Sequence, residues 1–278
     1  MSLFITSLNS GSNGNCYYLG NETEAVLVDA GISCREIDKR MKRLGLSMQK
    51  IKAVFISHEH TDHTRGLYSI VKKYKLPVYI TKDTLKYGGL RIDPGFIRSF
   101  SSYEPVKIGG LSILPFPKNH DAADPYSFTI SCNEIKVGVF TDIGIPCEHV
   151  TNQFRQCHAA FLEANYDDEM LDTGNYPYYL KKRIRGGKGH LSNTQALEIF
   201  TSYRSSGLSH LLLSHLSKNN NSPQLVSDLF NRYAGETKII VASRFEETPV
   251  YHIQSGRMPS ATIYQYSVSS AQLELSFS

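Results

Sequence analysis

No stretch of this sequence approaches the roughly eighteen consecutive apolar residues that a membrane-crossing helix needs, so no membrane span is expected. The opening Met1-Ser2-Leu3-Phe4-Ile5-Thr6 has no basic segment ahead of a long apolar one, and a cytoplasmic location is therefore expected. Cysteine is sparse: Cys16, Cys34, Cys132, Cys147 and Cys157 are odd in number, and no two form a CxxC pair. That pattern excludes a disulfide framework and a thiolate zinc site, and leaves reduced, mostly buried thiols. A strong excess of one charge is missing as well. A net charge of +4 is too small for a protein that coats nucleic acid, yet compatible with phosphate-bearing substrates. There is no low-complexity linker and no short-period repeat. One domain over residues 1–278 is expected, with 245–278 as a C-terminal extension that matches no useful pattern.

What is present is an alternation of short apolar strands and amphipathic helices. Leu3 to Leu8, a glycine-rich turn over Ser10 to Asn15, Cys16 to Leu19 and Ala25 to Gly31, with Asp29 where its loop begins, read as strand, turn, strand and strand. A helix carrying Arg35, Lys39, Arg40, Lys42 and Arg43 has its apolar stripe at Ile37, Met41 and Leu44, and its basic side reads as a solvated face. Further strands are expected at 53–56, 78–80, 106–108, 111–116, 127–131, 137–140, 159–162, 211–213 and 239–241, with helices at 65–74, 193–203 and 223–233. Strands precede helices in each half, which predicts an α/β fold of two sheets with helices outside.

The most informative feature is Ser57-His58-Glu59-His60-Thr61-Asp62-His63. Imidazole and carboxylate are the natural ligands of zinc, and manganese or iron also suit a mixed set. Residues two apart cannot share a helix face. A tight loop after the apolar strand Val54-Phe55-Ile56 can nevertheless aim His58 and His60 at one ion, with Asp62 and His63 turned toward a neighbouring position. A histidine-rich surface loop would also fit the letters, but four ligand-type residues behind a buried strand favour a metal site.

Other strand ends carry the remaining ligand types: Asn119-His120-Asp121, Thr141-Asp142 and Ser214-His215. Each alone is more often a capping or hydrogen-bonded residue. Together with the 58–63 loop they supply what a two-ion site lacks.

HxHxDH followed by a later His, a later Asp after a strand and a last His resembles the metallo-β-lactamase fold, an αββα four-layer sandwich of two mixed sheets flanked by helices. Asn119 to Pro125, Leu162 to Asp167, Gly189-His190-Leu191-Ser192-Asn193 and Leu213 to Ser217 are similar to the YycJ (WalJ) branch, related to the ribonuclease Z and PhnP types of phosphodiesterase. The resemblance implies two divalent metal ions (Zn2+ or Mn2+, with Fe also suitable). His58, His60 and His120 would hold the first; Asp62, His63 and His215 the second; Asp142 would bridge. It implies Asp29 as the carboxylate orienting the loop, His190 as proton donor and Glu163 as the group positioning it, with Asp62, His190 and Glu163 forming the catalytic set. No large capping insertion and no exosite arm is present, which weighs against long-RNA specificity.

The implied activity is a metal-dependent phosphodiesterase. Resemblance points to a nuclease with DNA as substrate and to exonuclease action from a 5′ end. The alternatives are a thioesterase or lactonase acting on small molecules, a cyclic phosphodiesterase, a redox di-iron protein, and a metal-bound scaffold that only binds. The His190–Glu163 pair favours phosphate chemistry, and a histidine at position 60 speaks against the di-iron reading. Lys181, Lys182, Arg183, Arg185 and Lys188 crowd the segment before Gly189-His190, where phosphate contact and solvation are equally good readings. Tyr176, Tyr178 and Tyr179 interleave with them for base stacking or for packing. The Ser10–Asn15 turn reads either as a phosphate cradle or as a plain hairpin turn. Cys147, Cys157, His149, His158, His210 and His252, which have no companions, are expected in the core.

Overall fold

A computed structural model describes residues 2–254. The first sheet is entered by β1 (Leu3–Asn9), β2 (Cys16–Gly20) and β3 (Ala25–Val28), an antiparallel meander, and continued by β4 (Ile51–Phe55), β5 (Val78–Tyr79) and β6 (Ile97–Arg98), all parallel to β3. The second repeats the plan. There β7 (Val106–Ile108), β8 (Leu111–Pro117), β9 (Tyr126–Cys132) and β10 (Ile135–Phe140) run antiparallel, then β11 (Ala159–Glu163), β12 (His210–Ser214) and β13 (Lys238–Val241) run parallel to β10. A last strand, β14 (Tyr251–Ile253), returns to the first sheet beside β1. Among the described residues each sheet has seven strands.

Period-two alternation divides each strand between two cores. Val26, Val28 and Phe55 face Phe128, Val137 and Phe161 between the sheets, while Leu27 and Val54 face outward onto Ile37, Met41 and Ile70. The outward residues are covered by α1 (Cys34–Arg43), α2 (Thr61–Thr64), α3 (Leu67–Tyr74) and α4 (Lys82–Tyr87) on one side. On the other lie α5 (Glu148–Phe154), α6 (Asp168–Thr173), α7 (Tyr178–Arg185), α8 (Asn193–Tyr203) and α9 (Pro223–Asn231). The expected four-layer α/β sandwich is the fold. With both faces covered, β3, β11 and β12 are buried at every position. Among the described residues no helix is long and apolar enough to cross a membrane.

Several local expectations change. The helix read from Arg65 begins at Leu67, and Thr61–Thr64 forms a separate turn of helix. Arg40 leaves the solvated face: it is buried and donates to Leu8 O at 2.6 Å and Asn9 Oδ1 at 2.8 Å. The segment from 245 is partly built into the sheet, because Ser7 N–H donates to Thr248 Oγ1 at 3.0 Å and β14 pairs with β1. Residues 255–278, including Tyr264-Gln265-Tyr266, lie outside the described residues. His149 is exposed and shares a hydrogen bond with the Tyr103 hydroxyl at 2.5 Å. Cys147, His158 and His252 are only half-buried, whereas Cys157 and His210 are in the core.

Candidate metal centre

The parallel strands β3, β4, β10, β11 and β12 all end at one edge of the sandwich, and the loops leaving them meet there. Phe140 is level with Leu162, and Leu162 with Leu213. This register sets residues 142, 163 and 215 at one height facing the 58–63 loop. Asp29, Asp142 and His215 follow their strands with φ of 62°, 55° and 56°, the left-handed region that Asp, Asn and His tolerate better than most residues.

Three groups of donor atoms come within 4.8 Å of one another: His58, His60 and His120; His58, His63 and Asp142; and Asp142, Glu163, His190 and His215. In the first, His60 Nδ1 lies 3.1 Å from His58 Nε2 and 3.3 Å from His120 Nε2. Asp142 is common to the other two. Its Oδ2 is 3.0 Å from His63 Nε2 and its Oδ1 is 2.9 Å from His215 Nδ1, yet Asp142 Oδ2 and His215 Nδ1 have no aligned hydrogen-bond partner. Asp62 stands at the rim, its Oδ2 3.6 Å from both His63 Nε2 and His215 Nε2. Buried nitrogens and oxygens that converge without satisfying each other are what a divalent cation would satisfy, and the donor types fit one.

Each ligand loop is held from behind. Asp29 is buried; its carboxylate accepts the Ser57 N–H at 2.8 Å and hydroxyl at 2.9 Å, and its Oδ2 pairs with His63 Nδ1 at 2.7 Å. The Ser57 hydroxyl also contacts His58 Nδ1 at 2.9 Å. These bonds fix which ring nitrogen faces inward, as metal-binding imidazoles require. Glu163 does the same in the second sheet. Its Oε2 accepts the N–H of Ile143 at 2.7 Å and of Leu191 at 3.2 Å, and its Oε1 pairs with His190 Nδ1 at 2.8 Å.

Three residues have roles that the sequence reading missed. Asn15 is buried and reaches Asp62 Oδ2 at 3.2 Å and His63 Nε2 at 3.1 Å, while Ser10 Oγ accepts the His215 N–H at 2.8 Å. The glycine-rich turn joins antiparallel β1 and β2 as a hairpin, and its side chains also brace the donor residues of both sheets; an Asn closing the turn before β2 was its one signal. Lys118, also buried, donates to Thr141 O at 2.6 Å, just ahead of Asp142. Nothing in the sequence marks it.

Electrostatics divide the centre. Burial, with His63 and Lys118 nearby, holds His58 well below the usual imidazole range. Burial also takes His120 down to about 3, with Lys118 adding to it and Asp142 opposing. For His63 burial again disfavours the charge, but Asp142, Asp29 and Asp62 outweigh it and the pKa lies well above normal. His215 behaves likewise: against burial, Asp142 and Glu163 lift it to about 10. Burial would raise Asp142, yet His215 and His63 hold it well below the carboxylate range. His58 and His120 thus present free lone pairs, whereas a cation seated on His63 and His215 must displace protons.

A hydrolase of the metallo-β-lactamase fold, with a divalent-metal site where the two sheets meet, is the class this arrangement defines, and the chain belongs to the β-lactamase superfamily, whose domain matches residues 24–216. It is 31% identical over 269 residues to the exodeoxyribonuclease YycJ of Bacillus anthracis, covering 95% of this chain and 100% of that one. To the exodeoxyribonuclease WalJ of Streptococcus pneumoniae it is 30% identical over 224 residues, 78% and 83% of the two chains. The crystal structure of the metallo-β-lactamase fold protein YhfI from Bacillus subtilis shares the fold with a TM-score of 0.68 at 17% identity, over 91% of this chain and 100% of that one.

Proposed function

We propose that this hydrolase is a two-metal phosphodiesterase that degrades DNA from a 5′ end. His58, His60 and His120 would hold one ion and Asp62, His63 and His215 the other, with Asp142 between them; zinc and manganese suit the donors best. When bound, such ions supply Lewis acidity, activating water at neutral pH and offsetting phosphate charge. The observation that carries the reading is the His190–Glu163 pair. His190 keeps 20% of its side chain exposed while its Nδ1 is tied to a fully buried carboxylate at 2.8 Å. Its Nε2 is thereby left for the substrate side, where it would give a proton to the departing oxygen, a contribution of about 10²–10⁴ in rate. Asp62, at the rim and braced by Asn15, takes up the proton of the attacking water. Hydrolysis of a thioester or lactone needs no such buttressed donor. The relatives named as exodeoxyribonucleases support DNA as the substrate.

The test is turnover of 5′- and 3′-labelled single- and double-stranded DNA, RNA, a cyclic phosphodiester and a glutathione thioester by protein loaded with zinc or manganese, beside His190→Ala. Loss of nucleotides from the 5′ end, reduced at least a hundredfold in His190→Ala, is expected. Absence of DNA cleavage with either metal, with the thioester consumed equally by both proteins, would overturn the proposal.

A further inference from the structure

In the chain segment that leads into His190 lies a cleft of about 520 Å³ lined by Asp172, Tyr176, Tyr178, Lys181, Lys182 and Arg185, within the range of ligand-binding clefts. It runs along α7, which buries none of its residues and so contributes little to the core. The helix is tied to the centre through the backbone. His190 N–H donates to Ile184 O at 2.9 Å, Gly189 N–H donates to Gly186 O at 2.7 Å, and His120 Nδ1 meets Gly189 O at 3.0 Å.

Its charges are only partly neutralised. Arg183 pairs with Asp121 and Arg185 with Asp172, each at 2.6 Å. Lys181 donates to the uncharged Asp172 carbonyl at 2.7 Å, and neither it nor Lys182 nor Lys188 has a carboxylate partner among the described residues. At the start of the same helix Tyr178 is 80% and Tyr179 73% exposed. Among the described residues neither ring is stacked on an aromatic or has a cation over its face. Unpaired lysines beside uncovered aromatic faces match a strand whose phosphates and bases alternate, and stacking requires the bases to be unpaired.

We propose that this cleft binds the single DNA strand next to the scissile bond, with a base on Tyr178 and phosphates on Lys181 and Lys182. The proposal rests on the phosphodiesterase reading above. It predicts that Tyr178→Ala and the double change Lys181→Ala/Lys182→Ala act on polynucleotide and spare small substrates. Steady-state turnover of a 5′-phosphorylated single-stranded oligonucleotide and of bis(p-nitrophenyl) phosphate, over a series of salt concentrations, tests it. The oligonucleotide KM should rise about tenfold in Tyr178→Ala. In the double variant the slope of log KM against log salt should fall by about 1.4. Turnover of the small diester should stay within twofold of the parent. Unchanged oligonucleotide KM and salt slope, or equal losses on both substrates, would overturn the cleft assignment. A parent protein that hydrolyses the small diester but no DNA defeats the DNA reading and the cleft with it, whereas a parent that cleaves DNA beside indifferent variants defeats the cleft alone.

Discussion

Replacing Glu163 by Gln tests the centre most directly, because one atom changes and the geometry assigns it a size. Burial alone would push this carboxyl upward, but the charge and hydrogen bond of His190, with His215 close by, overcome it and hold it at about 2, against an ordinary 4.5. That difference corresponds to roughly 3 kcal/mol of preferential stabilisation of the ionised form. The folded pKa is depressed, so the contribution is complete above the unfolded value near 4.5 and disappears as pH falls through about 2. Glu163→Gln keeps an oxygen for the Ile143 and Leu191 amides and loses the charge. At pH 7 the metal-free variant should therefore be about 3 kcal/mol less stable, a fall of roughly 6–12 °C in Tm for a chain of this size, and the gap should narrow to less than half of that on acidification to pH 3. Glu163→Ala also strands two buried amides, costing about 1–3 kcal/mol each. Urea unfolding of chelator-treated parent and variants between pH 7 and pH 3 measures this, and pH–rate profiles of the metal-loaded proteins measure the catalytic side, where kcat of Glu163→Gln should drop about a hundredfold and the profile should move. A stability gap under about 1 kcal/mol at pH 7, or one that ignores pH, would refute the electrostatic account; an unmoved profile would refute the positioning role.

Asp29→Asn should weaken metal binding by about 10- to 100-fold, since it removes the charge behind His63 while leaving an acceptor for the Ser57 amide; competition with a chromophoric chelator reads this. Gly31 is a position without room: a Cβ there would lie 1.6 Å from Asp62 O and 2.6 Å from Asn15 N, so Gly31→Ala must displace the 58–63 loop, and metal content by elemental analysis should fall together with Tm. His210, buried away from the centre, is held at about 4 by burial and by Lys238; its contribution is complete above the unfolded value near 6.5 and is lost as pH falls toward 4. His210→Gln should therefore remove up to about 2–3 kcal/mol of pH-dependent stability in that window, seen as a flatter plot of urea midpoint against pH.

The 58–63 loop was legible as a candidate metal site because its four donor residues fall within six consecutive positions behind an apolar strand, a signal that needs no tertiary information. Asp142 and His215 were legible only as strand-end residues, and their convergence depends on the parallel register of β10, β11 and β12, which no local pattern encodes. Asn15 and Lys118 reach partners 47 and 23 residues away, and a lone Asn or Lys carries no mark of such a bond. Helix α7 went unread because Leu180 and Ile184 are its only aliphatic residues, too few for a stripe with a helical period. His149, expected in the core, is exposed, because an isolated histidine says nothing about burial.

At positions 29, 142 and 215 two filters coincide. The left-handed backbone admits Gly, Asn and Asp readily and costs most other residues about 1–2 kcal/mol, while the chemistry admits only acids and imidazoles. A lineage that abandoned hydrolysis would lose the second filter and keep the first. Its drift at these three sites should run to Asn or Gly long before Ala, Val or Leu. The route back is correspondingly short: a dormant relative holding Asn at 29 or 142 already has the backbone in place, and a single amide-to-acid exchange would restore the orienting carboxylate at 29 or the donor at 142 without moving the chain.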